Sequence, residues 1–179
     1  HLKKYARLVV VRIDLRLKSD PDKVNFISDF LIDMAGFWRR LRRDLRESKK
    51  IPNPEGFIGS LEHGHYRGYH FHVMLFFDGS KHQRHVSLAK MIGEHWEHEV
   101  TKGRGGYHNC NATDPADYIY YGIGRVEHWD LDKIGNLKFA AHYLAKTDYS
   151  LNALNNKGHR TFFRGTMPKK QNKRGRKRK

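Results

Sequence analysis

Between residues 56 and 77 the chain carries two runs of strand-forming residues, Gly56-Phe57-Ile58-Gly59-Ser60-Leu61-Glu62-His63 and Tyr69-His70-Phe71-His72-Val73-Met74-Leu75-Phe76-Phe77. A short segment bracketed by Gly64 and Gly68 separates them. Aromatic and β-branched residues favour the pleated sheet, and glycine-bounded loops of a few residues join antiparallel strands. A hairpin with a five-residue loop is therefore predicted. If the loop is centred on Tyr66, Glu62 faces His70 and Ser60 faces His72. Facing residues of an antiparallel pair project to one side, as do residues two apart on a strand. The expected product is a cluster of two imidazoles and a carboxylate, Glu62, His70 and His72, with coordination positions left open for a metal. A one-residue slip in register would disperse it.

The His-x-His spacing carries little by itself. With 13 histidines in 179 residues, about one such triplet arises by chance, and a second copy stands at His63-Gly64-His65, which reads as loop ahead of a spare ligand pair. The carboxylate opposite is what distinguishes the first copy. A rival set lies on the helix predicted from about Val86 to Val100, where His95 and His98 sit one turn apart among Glu94, Glu97 and Glu99. An exposed His/Glu helix face accounts for that pattern without a metal.

Elsewhere the periodicity alternates between strand and helix. From Arg7 to Leu17, Val11, Ile13, Leu15 and Leu17 alternate with Arg12, Asp14 and Arg16, which predicts a central strand with one buried and one wet face. Ser19-Asp20-Pro21-Asp22 caps a long helix whose Ile27, Phe30, Leu31, Met34, Trp38, Leu41 and Leu45 recur at spacings of three and four. Its other side carries Arg39, Arg40, Arg42, Arg43 and Arg46, a pattern open to two readings, a solvated face or a contact for a nucleic-acid backbone. Pro52 and Pro54 close the segment. Residues 101–116 read as loop, a strand is expected around Ile123 to Trp129, and a helix from near Asn136 buries Leu137, Ala140, Ala141 and Leu144. Tyr143 and Lys146, three apart, share the flank of that stripe. A last strand is expected at Arg160 to Arg164. The order β, α, β-hairpin, α, β, α, β predicts an α+β fold, a central mostly antiparallel sheet of about five strands with helices packed on it.

Charge narrows the partners. The formal net charge is +16, and residues 168–179 hold eight Lys/Arg and no acid, which leaves +8 on residues 1–167. The expected division is a folded domain over 1–167 and a basic, disordered tail over 168–179. A basic body with a basic tail points to a polyanion, nucleic acid before anionic membrane. Arg67 at the hairpin tip and Lys169, Lys170 and Arg174 in the tail are the candidate nucleic-acid contacts. A single cysteine, Cys110, excludes an internal disulfide framework and suits a reducing compartment. No run approaches the ~20 apolar residues of a membrane span, and no secretory leader is legible. The chain begins at His1, which reads as an excised domain.

Taken together, His70-Phe71-His72 with its hydrophobic middle residue, Tyr143-Leu144-Ala145-Lys146 downstream on a helix, and Glu62 on the preceding strand resemble the HUH endonucleases, the rolling-circle replication initiators and relaxases. The span from Glu62 to Phe77, the Tyr-Leu-Ala-Lys helix and the closing Arg-Thr-Phe-Phe with its basic tail look most like the replication initiators of filamentous phages and related prophage elements. The resemblance implies an RRM-like palm, a divalent cation (Mg²⁺ or Mn²⁺) on Glu62, His70 and His72, and Tyr143 as nucleophile with Lys146 beside it. It implies nicking of one DNA strand at an origin, single-stranded or hairpin, to give a 5′-phosphotyrosine link and a free 3′ hydroxyl. It further implies rejoining by reversal, the cytoplasm of a bacterial host, and the host replication machinery as partner. Tyr149 stands as a competing nucleophile. A relaxase- or transposase-type enzyme, a metal-dependent nuclease using water, and a non-cutting DNA-binding regulator on the same scaffold are the alternatives. No GxxxxGK[ST] motif for an attached helicase is present.

Overall fold

The structure, a computed structural model, describes residues 2, 4–18, 27–64, 68–145 and 161–166. Strand β1 (Arg7–Leu17) leads to helix α1 (Ile27–Glu47), then to the hairpin of β2 (Gly56–Gly64) and β3 (Gly68–Asp78). Helix α2 (His85–Glu94) runs on into a π-helical turn, His95–Val100. Next come β4 (Gly105–Asn109), β5 (Gly124–Glu127), helix α3 (Leu131–Leu144) and β6 (Phe162–Arg164). This is an α+β fold with one six-stranded sheet in the order β4-β1-β3-β2-β6, β5 also pairing with β1, and every strand pair is antiparallel.

The two longest strands occupy the centre because both of their faces find cover. On one face Val9, Val11, Ile13 and Leu15 of β1 and Phe71, Val73, Leu75 and Phe77 of β3 pack under Met34, Trp38 and Leu41 of α1 and Leu88 and Ile92 of α2. On the other face Leu8, Val10, Met74 and Phe76 pack under Ile134, Leu137, Ala140 and Leu144 of α3. The side of β1 expected to be wet is thus covered at Leu8 and Val10, and only Arg12, Asp14 and Arg16 keep access to solvent there. A strand buried on both sides reads as a nearly continuous apolar run, as Leu8 to Val11 do.

Helix α3 carries the chain across the second face. It touches β5, which flanks β1, and β2, on the far side of β3, and beyond it β6 pairs with β2. The helix begins five residues before the expected Asn136, because the Asp130 carboxylate accepts from Lys133 N at 3.0 Å and caps the first turn. Gly122 lets it lie close: a Cβ there would fall 2.2 Å from the Leu137 backbone nitrogen. Part of the expected 101–116 loop is a strand, β4, which glycines at 105 and 106 hide from a propensity reading. Between β4 and β5 the edge of β1 is stitched by Asn111, whose side chain accepts from Arg12 N at 2.7 Å and donates to Val10 O at 2.9 Å. The start of the long helix at residues 19–26 lies outside the described residues. No helix among the described residues is long and apolar enough to cross a membrane.

Candidate metal centre

The hairpin register brings the expected set together. Glu62 pairs with His70 and Ser60 with His72, and pairing runs on to Gly64 and Gly68, so only residues 65–67 join the strands rather than five. On the other side of β3, Arg16 of β1 pairs with His70 and Asp14 with His72. Each histidine therefore has a polar neighbour to left and right, Glu62 and Arg16 for His70, Ser60 and Asp14 for His72. All six side chains belong to the face that α3 covers, since they alternate with Leu61, Phe71, Val73, Ile13 and Leu15 of the opposite core. The two rings are 8% and 7% exposed.

Distances describe a compact donor set. His70 Nε2 lies 3.1 Å from His72 Nε2, and His72 Nε2 lies 3.3 Å from a Glu62 carboxylate oxygen. One ligand atom from each of Glu62, His70 and His72 falls within 4.8 Å of the others, and these three form the metal-competent group among the described residues. The Ser60 hydroxyl donates to the other Glu62 oxygen at 3.1 Å and aims the carboxylate. His72 Nδ1 lies 2.6 Å from Asp14 Oδ1, so Nδ1 donates there and Nε2 is the nitrogen that meets a cation once its own proton is lost. Two imidazole nitrogens and a carboxylate, with one ring held in the ligating tautomer, fit a divalent cation that keeps open positions.

The electrostatics agree with that fit. Burial disfavours a charged His72, yet the hydrogen bonds and charges of Asp14 and Glu62 override it and push its pKa up to about 9. Burial likewise works against the Asp14 carboxylate, but His72 holds it below the usual range. The hydrogen bond from His72 does the same for Glu62, against the burial of that group. Without a metal the cluster holds a proton between two carboxylates, the place a cation takes over.

Tyr143 sits on α3, on the same side of the sheet as the cluster, 53% exposed on the flank between buried Ala140 and Leu144. One turn before it Phe139 stacks on Tyr120, with centroids 4.7 Å apart and planes at 17°. Lys146, Tyr149, Arg67, Lys169, Lys170 and Arg174 lie outside the described residues. His95 and His98 are not brought together: His95 is buried with Nε2 2.9 Å from Asp44 Oδ2, while His98 is exposed on the π-helical turn. The hydrogen bond to Asp44 of α1 explains His95 without a metal. His63 belongs to the end of β2 rather than to a loop and lies ring to ring with Tyr69 at 4.5 Å.

Sequence reasoning set Ser60 across from His72 but gave it no role in aiming Glu62, and it missed Asp14. Asp14 is the one acid in β1, and an acid in a strand this apolar needs a buried partner; the partner's identity follows only from the β1–β3 register. The model of the family described as the YagK/YfjJ C-terminal domain matches residues 1–164. No curated protein matches the chain.

Proposed function

The chain belongs to the YagK/YfjJ C-terminal domain family, and we propose that it is a metal-assisted DNA strand transferase, a nickase that attacks a phosphodiester with Tyr143. The observation that carries this reading is that Glu62, His70 and His72 converge on the face of the sheet that α3, the helix of Tyr143, covers. The net charge of +16 supports a polyanionic substrate. The stacked Phe139 and Tyr120, exposed beside Tyr143, offer a surface on which unpaired bases can stack.

In this reading Glu62, His70 and His72 hold the cation and Asp14 keeps the His72 ring aligned through Nδ1. A bound divalent cation supplies Lewis-acid polarisation of the scissile phosphodiester and neutralises charge in an in-line displacement. The Tyr143 hydroxyl oxygen forms a bond to phosphorus and gives up its proton. The bond from phosphorus to the 3′ oxygen breaks, and that oxygen leaves as a free hydroxyl after taking a proton. The ester on Tyr143 conserves the energy of the broken bond, so a 3′ hydroxyl can reverse the step and reseal the strand. Arg16, the cross-strand neighbour of His70, would meet a non-bridging phosphate oxygen in this scheme. Lys146, three residues beyond Tyr143, serves the same charge in this scheme. Use of the reaction to start replication at an origin is the role that the resemblance of these motifs suggests.

Incubation with single-stranded DNA and Mn²⁺, followed by a denaturing gel, tests the proposal. The expected product is a protein–DNA adduct that chelator or His70→Ala abolishes. Binding without an adduct would identify a non-cutting regulator, and cleavage without a protein-linked strand would identify a nuclease that uses water.

A further inference from the structure

Residues 118–123, which lead into β5, run along α3 and are fastened in place. Gly122 lies against the Leu137 backbone, the Tyr118 hydroxyl donates to Cys110 O at 2.9 Å, and Lys133 Nζ sits 5.1 Å from the centroid of the Tyr121 ring. Tyr118 and Tyr121 are thereby drawn against the core, and Ile119 and Tyr120 are left exposed. Tyr120 stacks on the equally exposed Phe139 with planes at 17°, whereas the other Phe, Tyr and Trp pairs among the described residues cross at 32° to 75°. Crossed rings fill a core. Two parallel rings at the surface leave a flat outer face on which a further ring can continue the stack.

Phe139 and Tyr143 are four residues apart, about 40° around α3 from one another and about 6 Å along its axis, so they form a row that leads away from Tyr143. Gly135 continues the row one turn further, and a Cβ there would meet nothing within 4 Å, which leaves that step open. Lys138 and His142, also exposed and four apart, make a second row about 100° away around the helix. A row of flat rings with a row of N–H donors beside it matches the two sides of a single strand, bases on one and phosphates on the other; an apolar protein surface would not call for the second row. Asp130 and Asp132 set carboxylates beside Trp129 and Leu131 at the start of the helix, so the track for a polyanion ends near Gly135 although both of those apolar side chains are exposed. From Tyr143 to Gly135 is about 12 Å, roughly three or four nucleotides of a stacked strand at ~3.4 Å each. We infer that the Phe139–Tyr120 stack is a base-binding subsite, and that the unpaired strand leaves the reacting phosphate along the outer face of α3, its bases over this stack and its phosphates beside Lys138 and His142. This subsite rests on the reading of DNA as substrate but needs no chemistry at Tyr143.

The test is fluorescence anisotropy of the full chain, in chelator so that no cutting competes, with a labelled mixed-sequence single strand and with the same sequence as a blunt duplex. Phe139→Ala and Tyr120→Ala are each expected to weaken single-strand binding about fivefold or more, the contribution of one stacked base, and to change duplex binding less than about twofold, because paired bases cannot reach the stack. Lys138→Gln is expected to lower the log–log salt slope on the single strand by about 0.7, whereas Phe139→Ala leaves that slope as it is. Trp129→Ala, which removes an exposed ring outside the row, is expected to bind as wild type. Thermal melting checks the fold, and Phe139→Leu, which keeps an apolar side chain but offers no ring, decides the matter if Phe139→Ala unfolds the chain. Equal losses on single strand and duplex, unchanged single-strand affinity in either ring variant, an unchanged slope in Lys138→Gln, or the same loss in Trp129→Ala would overturn the proposal. So would a wild-type dimer that Phe139→Ala makes monomeric without loss of DNA affinity, since the row would then serve a second copy of the chain. Loss of single-strand preference in a protein that forms no adduct would keep the subsite and remove the nickase; an adduct with unchanged preference would do the reverse.

Discussion

Asp14 Oδ1 stands 2.6 Å from His72 Nδ1, across the ladder between the two central strands. The contact fixes which ring nitrogen faces Glu62 and His70, and so makes a carboxylate on β1 part of a site whose candidate ligands sit on β2 and β3. Removing such a partner leaves the ligands in place but frees the ring. Asp14→Ala is expected to weaken Mn²⁺ binding about 10- to 100-fold, measured by calorimetry, with little change in far-UV circular dichroism. Wild-type affinity in that variant would show that Asp14 does not position the ring.

Proton and cation compete for the same cluster. Because the folded-state pKa of His72 is raised from 6.5 to about 9, its charge stabilises the metal-free fold fully below pH 6.5, and that contribution is lost as pH rises through about 9. Metal binding has the opposite slope, since a ligating ring must be neutral. The apparent Mn²⁺ affinity is expected to rise about tenfold per pH unit from neutrality and to level off above about 9. His72→Gln should flatten that profile; a flat profile in the wild type would contradict the carboxylate-held proton.

Two glycines make opposite predictions for the helix that carries Tyr143. A Cβ at Gly122 would fall 2.2 Å from backbone of α3, whereas one at Gly135, inside the helix, meets nothing within 4 Å. Gly122→Ala is expected to destabilise the fold by about 1–3 kcal/mol or more through forced displacement of α3, and Gly135→Ala to stabilise it by about 0.5–1 kcal/mol through helix propensity. Urea denaturation midpoints measure both, and equal signs would contradict the close seat of the helix.

Cys110 is buried, and burial, helped by the nearby Asp14 charge, pushes its thiol up to about 12. A thiol so far from its thiolate reacts slowly. Native protein is expected to resist thiol-specific reagents that label the urea-unfolded chain promptly; comparable rates would mean that the β4 region opens readily.

The hairpin and its register were legible in sequence because glycine-bracketed strands leave few pairings that keep Phe71 and Leu61 inside and His70 and Glu62 together. The end of α1, with Met34, Trp38, Leu41 and Leu45 buried, followed from helical spacing. What was not legible depends on contacts distant in sequence. Asp14 looked solvent-facing because its alternation with Ile13 and Leu15 says nothing of which strand lies beside it. β4 escaped because Gly105 and Gly106 carry no strand preference of their own, and β1 supplies their partner instead. The start of α3 escaped because Gly135 interrupts the helical pattern, while the cap that sets the boundary is Asp130.

The most direct measurement is to digest the DNA of the Mn²⁺-dependent adduct with nuclease and locate the residual nucleotide on the protein by tandem mass spectrometry. The account predicts a 5′-phosphonucleotide on the Tyr143 peptide, absent from Tyr143→Phe and from His70→Ala. A nucleotide on Tyr149 or another side chain, or cleaved DNA with no nucleotide on the protein, would contradict it.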